Sequence, residues 1–523
     1  MSSGNPQATP SHQATFNSRW RHAVSEFGDR PFLDYEDPAG RVNSWCYQDW
    51  DQVVARAAGF LASHGVGKGD RVHLALSNSP AFLAVWFASS RLGAVMIPSD
   101  PRATERELEV HITRTRPVLG VYGVDRAEVY EHAAIASQLG NVVEVSELGD
   151  GPASLVGDAV EDSNAVPAGD PAAVLFTSGT TSAPKGVFVT QANYAFAGDI
   201  MGREAGLGIT SRFLVVLPMF HANAQYYATT AVVSYGGCVC LMAGFSASRF
   251  VQQAMTHRAT HASLFAAPMR MILARGAQSA PRLQLEHCWY AQNLSADQLD
   301  SFERLVGCRP RQLYGMTETI PAVCMQRVGD RAHDTIGTTT PGCDVDIRRP
   351  GEDVVAGPGE HGEITVGGIP GVSLFAGYLD DPEATSAAFL NDRFRTGDRA
   401  VSDRAGAIRF VGRQGDTLKS GGENVSVVEV EEALMNHPGV LEAAVVGQPD
   451  PVLDEIPIAF VVRAEQAREL GAEELLAYAE RVLAPWKRPR EVHFVDVLPR
   501  TSLGKIRRFM LRAIASDTSQ PRH

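Results

Sequence analysis

The loop Thr177-Ser178-Gly179-Thr180-Thr181-Ser182-Ala183-Pro184-Lys185-Gly186, which follows the apolar run Ala172-Ala-Val-Leu-Phe176, has the composition of a phosphate cradle. Glycine lets the backbone approach an oxyanion, hydroxyls and loop N–H groups donate to phosphate oxygens, and a lysine supplies a cation. A P-loop nucleotidase would show Gly, four residues, then Gly-Lys-Ser/Thr opening a helix. Here Lys185 precedes Gly186 and follows Pro184, so that pattern fails. The residue before a proline is pushed toward extended backbone, which argues against a helix starting here. On composition alone the stretch also fits a flexible surface loop.

Four other clusters offer related chemistry. Tyr314-Gly-Met-Thr-Glu318-Thr sets a carboxylate beside hydroxyls, the hard oxygen donors that Mg²⁺ shares with phosphates; alone, such a pair also fits a helix cap. In Arg395-Thr-Gly-Asp398 an aspartate after glycine can accept two ribose hydroxyls, or mark a turn. Pro499-Arg-Thr-Ser-Leu-Gly-Lys505-Ile-Arg507 reads by itself as a solvated basic end. Leu217-Pro-Met-Phe-His221 places a histidine that fits a packed core as well as a site.

Taken together, these strings resemble the adenylate-forming superfamily of acyl-CoA synthetases, luciferases and peptide-synthetase adenylation domains, in order and spacing, from about residue 16 to about residue 512. Gly421-Gly-Glu-Asn-Val-Ser426 and Asn223-Ala-Gln-Tyr-Tyr227 look most like its crotonobetaine/carnitine-CoA ligase-like branch. The resemblance implies ATP contacts at Thr177, Ser178, Gly179, Thr180, Thr181, Lys185, Tyr314, Asp398, Arg413, Gln292 and Asn293. It implies Mg²⁺ ligation by Glu318 and Thr181, and catalytic roles for Lys505, His221, Glu318 and Thr317. His221, Asn223, Gln225 and Tyr226 would line the substrate pocket, and Gly415 would be the hinge, where the family usually has aspartate or lysine. Other departures are Ser182 for glycine, Val427 for proline, and Tyr290-Ala-Gln-Asn293 for a Gly-Gly-Ala-Pro-like loop.

The implied reaction joins ATP and a carboxylate into an acyl-adenylate with loss of pyrophosphate, then passes the acyl group to coenzyme A. Polar side chains near His221 point to a small or polar acid. A second reading keeps adenylation but changes the substrate or acceptor: nitrite activated for attack by an aryl amine, as in an ATP-dependent diazotase of secondary metabolism, or adenylation with another acceptor. A non-catalytic nucleotide-binding relative is disfavoured, because the cradle, Glu318, Asp398 and Lys505 are all retained.

Positioning these residues falls to alternating helical and extended segments, which argue for an α/β architecture with parallel sheets. Residues 49–64 and 80–92 have helical apolar spacing; 71–76, 94–97, 213–217, 237–242 and 259–265 read as strands. A hairpin over 399–411, turning at Asp403-Arg-Ala-Gly406, precedes a boundary near Gly412. Beyond it, helical 425–437 and extended 443–446 and 458–462 make a small α+β unit. The expected organisation is a ragged N-terminus (1–15), a large domain (16–412) and a mobile C-terminal domain (413–523). By the resemblance, the large domain holds stacked α/β sheets and a small β-barrel-like part.

Composition narrows the partners. At 523 residues the chain exceeds one ordinary core. A net charge of -13 disfavours nucleic acid and anionic membrane as main partners. Seven cysteines without a CxxC pair suggest neither a disulfide framework nor a zinc site, so a reduced cytoplasmic setting is expected. The longest apolar stretch, 81–98, is broken by Arg91 and too short to span a bilayer. A homodimer is the assembly expected.

Overall fold

Ser79 and Gly93 bracket the clearest local signal in the chain. The Ser79 hydroxyl accepts from the Phe82 N–H, Pro80 fills the first helical turn, and Gly93 closes the helix Pro80–Leu92 at φ 69. The helix is apolar on nearly every side, and all its residues except Leu92 are buried. Its one charge, Arg91, pairs with Asp51 of the helix Tyr47–Ser63. The computed structural model describes residues 13–147, 151–161, 166–177, 184–275, 282–413, 417–420, 423–450, 453–500 and 506–518.

Two large sheets follow from buried, near-continuous apolar runs, the pattern of strands covered on both faces. One has seven strands in the order Gly377–Tyr378, Lys185–Thr190, Pro171–Thr177, Val95–Pro98, Arg71–Ala75, Leu119–Gly123 and Val142–Val145. The other has nine: Thr338–Thr339, Cys324–Met325, Arg311–Tyr314, His287–Ala291, His261–Phe265, Arg212–Val215, Cys238–Met242, Pro31–Glu36 and Val42–Cys46. A single core takes side chains from both sheets and from the helices Phe16–Phe27, Tyr47–Ser63, Pro80–Leu92 and Gln191–Ala205 between them. Thr15 caps the first of these helices.

A third, antiparallel sheet orders Asp344–Arg348, His361–Gly367, Arg393–Ser402 and Phe389–Leu390, with Ile408–Arg413 beside Arg393–Ser402. The expected hairpin is present, but its first strand starts at Arg393 rather than Arg399. Burial alternates along that strand, so Thr396 and Asp398 face inward at period two. Its turn is held by the Asp403 carboxylate, which accepts from the Ala405 and Ala407 N–H groups at 2.8 and 2.9 Å.

The C-terminal sheet runs Glu423–Ser426, Thr417–Ser420, Asp454–Arg463, Val440–Asp450, with Glu491–Phe494 parallel to Asp454–Arg463. The helices Val427–Met435 and Ala472–Val482 cover one face, and Arg508–Thr518 covers the other. The helix expected over 425–437 is shorter at both ends. Ser426 is its N-cap, accepting from the Glu429 N–H and donating to the Val411 carbonyl at 2.5 Å. Among the described residues no helix is long and apolar enough to cross a membrane.

Candidate active site

Thr177 and Lys185 face each other across the antiparallel pair that carries the cradle. Ser178, Gly179, Thr180 and Thr181 lie outside the described residues, as do Gly415 and Lys505. The Lys185 ammonium sits 4.5 Å above the Tyr378 ring, and the Tyr378 hydroxyl donates to Glu318 Oε1 at 3.1 Å. Burial, with the nearby Glu318 carboxylate, raises the Tyr378 phenol, which stays a proton donor. Lys185, Tyr378 and Glu318 thus form one contiguous row. Glu318 is buried in the single turn Thr317–Thr319, with Thr317 also buried. The next residue, Ile320, adopts φ 67, a conformation β-branched residues rarely take, so the turn is strained.

Both ends of the cradle are clasped by the helix Glu105–Thr115. His111 stacks on Phe176 with centroids 3.8 Å apart, and Arg114 donates to the Pro184 carbonyl while lying 5.6 Å from the same ring. Behind His111 runs a buried chain: Ser99 Oγ lies 2.7 Å from His111 and 2.9 Å from His73, whose other nitrogen lies 2.8 Å from the Tyr130 hydroxyl. Burial pushes the His111 imidazole down to about 4, so this support is uncharged at neutral pH.

Asp398 gathers the second group. Its carboxylate accepts from the Tyr314 hydroxyl at 2.7 Å and from Arg413 Nε at 2.9 Å. The Asp398 charge raises the Arg413 guanidinium further. A carboxylate has about four lone-pair sites, so capacity for sugar hydroxyls is left. Gln292 and Asn293 follow the strand His287–Ala291. Gln292 takes φ 73, which glycine adopts without penalty and which here is held by Gln312, whose amide donates to the Gln292 carbonyl (3.1 Å) and Asn293 Oδ1 (3.0 Å). Tyr290 is fully buried and donates to Gln312 at 3.2 Å, so its bulk supports this loop from behind.

The segment before His221 is fixed by Asn78. One amide donates to the Leu217 and Met242 carbonyls at 3.0 and 3.1 Å and accepts from the Met219 N–H at 2.7 Å. His221 is half-buried; its Nδ1 accepts from the Asn223 N–H at 3.3 Å, and its ring lies 6.3 Å from that of Phe265. Asn223–Thr229 forms a π-helix, unforeseen in the sequence and common at functional sites. Gln225 departs from the pocket assignment: fully buried, it donates to the Met219 carbonyl (2.7 Å) and accepts from Tyr194 (2.5 Å), so it braces the wall. Tyr226 is also buried, edge-on to Tyr194. Asn223 is buried too. The wall needs a glycine at 315, where a Cβ would meet the Tyr227 hydroxyl at 2.9 Å and the Ala322 Cα at 3.0 Å.

The structure therefore brings Lys185 and Glu318 together through Tyr378, with Thr317 buried beside Glu318, and joins Tyr314 and Arg413 through Asp398. Sequence reasoning missed Tyr378, His111, Arg114, Asn78 and Gln312, which act through other residues and sit in no recognisable string. Glu318 offers a buried carboxylate, the hard oxygen donor that Mg²⁺ takes, on the side that Lys185 flanks through Tyr378, so it fits that ion; Thr181, the other expected ligand, lies outside the described residues.

Residues 20–379 match the family described as AMP-binding enzyme, and residues 429–505 match the AMP-binding enzyme C-terminal domain. The chain is 32% identical over 509 residues to a crotonobetaine/carnitine–CoA ligase of Citrobacter koseri, covering 93% of this chain and 96% of that one. It superposes on ATP-bound MatB from Rhodopseudomonas palustris with TM-score 0.85 and 26% identity, over 97% of this chain and 100% of that one. A benzoate CoA ligase from Burkholderia xenovorans aligns with TM-score 0.84 and 25% identity, over 95% and 99% of the two chains. With both family regions matched over most of its length, the chain belongs to the AMP-binding enzyme family.

Proposed function

We propose that this protein is an AMP-forming acid–CoA ligase acting on a short or polar carboxylic acid. The observation that carries this reading is the pair of groups around Lys185-Tyr378-Glu318 and Tyr314-Asp398-Arg413, which present a cation and hard oxygens on one side and a ribose acceptor on the other. A substrate carboxylate oxygen attacks the α-phosphorus of ATP and pyrophosphate leaves; the thiol of coenzyme A then attacks the acyl carbon and AMP leaves. Glu318 and Thr181 would hold Mg²⁺, which would offset charge on the phosphates. Thr177, Ser178, Gly179, Thr180 and Lys185 would orient the departing pyrophosphate. In this reading Lys505 neutralises charge building at the pentavalent phosphorus, the electrostatic help such a transfer needs most.

His221 and Asn223 would border the acid. Behind them Tyr194, Tyr226, Tyr227 and Trp289 pack ring against ring, which supports a short substrate. Relatives named as carnitine– and benzoate–CoA ligases support coenzyme A as acceptor. All seven cysteines are free thiols, consistent with a cytoplasmic enzyme; light scattering would check the homodimer expected from sequence. The deciding experiment incubates the protein with Mg-ATP, a panel of small acids and nitrite, with and without coenzyme A or aryl amines, and identifies products by mass spectrometry. A coenzyme A thioester plus AMP is expected. A diazo product formed from nitrite and an aryl amine, with no thioester from any acid, would replace this reading with the diazotase.

A further inference from the structure

Arg270, on the helix Ala266–Ala274 of the large domain, reaches in two directions. Its Nη1 donates to the Asn293 carbonyl at 3.1 Å, and its Nε lies 3.3 Å from Glu442 Oε1, on the strand Val440–Asp450 of the C-terminal sheet. The other oxygen of Glu442 lies 2.9 Å from Arg500 Nη2. Arg500 in turn forms a β-bridge with Ile506, across the stretch that contains Lys505. One carboxylate of the C-terminal unit therefore sits between an arginine of each unit, and the chain of contacts runs from the Gln292-Asn293 loop to the base of that stretch. A second contact lies alongside: Asn293 Nδ2 donates to Glu432 of the helix Val427–Met435. Arg270 is 8% exposed, and burial together with Arg500 lowers its guanidinium while Glu442 opposes that.

We propose that Arg270, Glu442, Asn293 and Glu432 are positioning residues forming an interdomain clasp that holds the C-terminal domain in the arrangement used for adenylation, and so sets the balance between the two half-reactions. The direction of the effect rests on the function proposed above; the clasp does not. Its logic is that of a buried ion pair, where removing one partner leaves charges uncompensated. Without the Glu442 charge, Arg270 and Arg500 face each other across the domain boundary and repel. The docked arrangement is weakened, while the two domains keep their own cores.

The test uses the full-length chain with Glu442→Gln, Arg270→Gln and the double variant. Hydrogen exchange, which needs no substrate, is read at residues 266–274 and 440–446. The expected result is faster exchange on both faces in either single variant, with the interior strand His287–Ala291 unchanged and the double variant no worse than the worse single one. No change at either face overturns the clasp, as does loss of protection throughout the chain. With an acid from the product panel, ATP–pyrophosphate exchange should fall about tenfold to a hundredfold in Glu442→Gln. Thioester formation from the supplied acyl-adenylate should stay at least as fast as wild type. Equal losses in both steps overturn the assignment to adenylation. Faster hydrogen exchange on both faces, with no acid supporting pyrophosphate exchange in the wild type, leaves the clasp standing and sinks the ligase reading instead.

Discussion

Asp398 is held from two sides, by a neutral phenol and by a guanidinium, and this fixes where its remaining lone pairs point. If those lone pairs meet the ribose, 2′-deoxy-ATP should bind the wild type less tightly than ATP, and Asp398→Asn should bind ATP about tenfold to a hundredfold more weakly while losing that discrimination. Calorimetry with both nucleotides measures it; equal affinities for the two nucleotides in the wild type would count against the role. Gly315 supports a different kind of prediction. A methyl there is forced against Tyr227 and the Ala322 backbone, so Gly315→Ala should cost about 1–3 kcal/mol of stability, seen as a lower melting temperature. An unchanged melting temperature would mean that the Tyr227 wall yields freely.

At the scale of elements, the helix Glu105–Thr115 braces both flanks of the loop between Thr177 and Lys185, through His111 on Phe176 and Arg114 on Pro184. Arg114→Ala should lower kcat/KM for ATP by about tenfold with little thermal destabilisation, because one partly exposed guanidinium on a loop carbonyl is lost. His111→Phe keeps the stacked ring and should do less harm; steady-state kinetics on both variants would expose the reverse order. This brace also marks where sequence reading stopped. The helix Pro80–Leu92 was legible to the residue, since Ser79-Pro80 and Gly93 are local signals that tertiary packing did not overrule. Asp398 and Glu318 could be singled out as candidates because their residue types sit inside short strings, and the structure places both in buried contacts. His111, Arg114 and Tyr378 could not, because each matters through a partner about 60 or more positions away in the chain, and no periodicity encodes such a meeting. Gln225 misled for the related reason that polarity in a sequence does not say whether an amide faces a ligand or a neighbouring tyrosine.

For the whole molecule, the burial of Glu432 at the domain boundary leads to the expectation that domain docking depends on pH. Burial, with Asp334 and Glu431 adding to it, raises the Glu432 carboxyl to about 7, while the Asn293 amide and Arg409 work against the shift and Glu431 is itself paired with Arg508. If undocking returns the carboxyl to its usual value of 4.5, the docked state binds the extra proton, and its advantage is complete below 4.5 and is lost as pH rises through about 7. Protection of residues 440–446 should therefore fall between pH 6 and 8 in the wild type and stay level in Glu432→Gln. Lys505→Ala should reduce adenylation by on the order of a hundredfold or more and spare transfer from a supplied acyl-adenylate, measured as separate half-reactions. Asn78 has a consequence for anyone wishing to alter substrate choice. Because its single amide fastens Leu217, Met219 and Met242 together, the stretch from Leu217 to Thr229 is not a free-standing cassette. A graft of a relative's acid-binding segment should be accepted only when position 78 travels with it, so the practical unit of exchange in this enzyme is discontinuous in the gene.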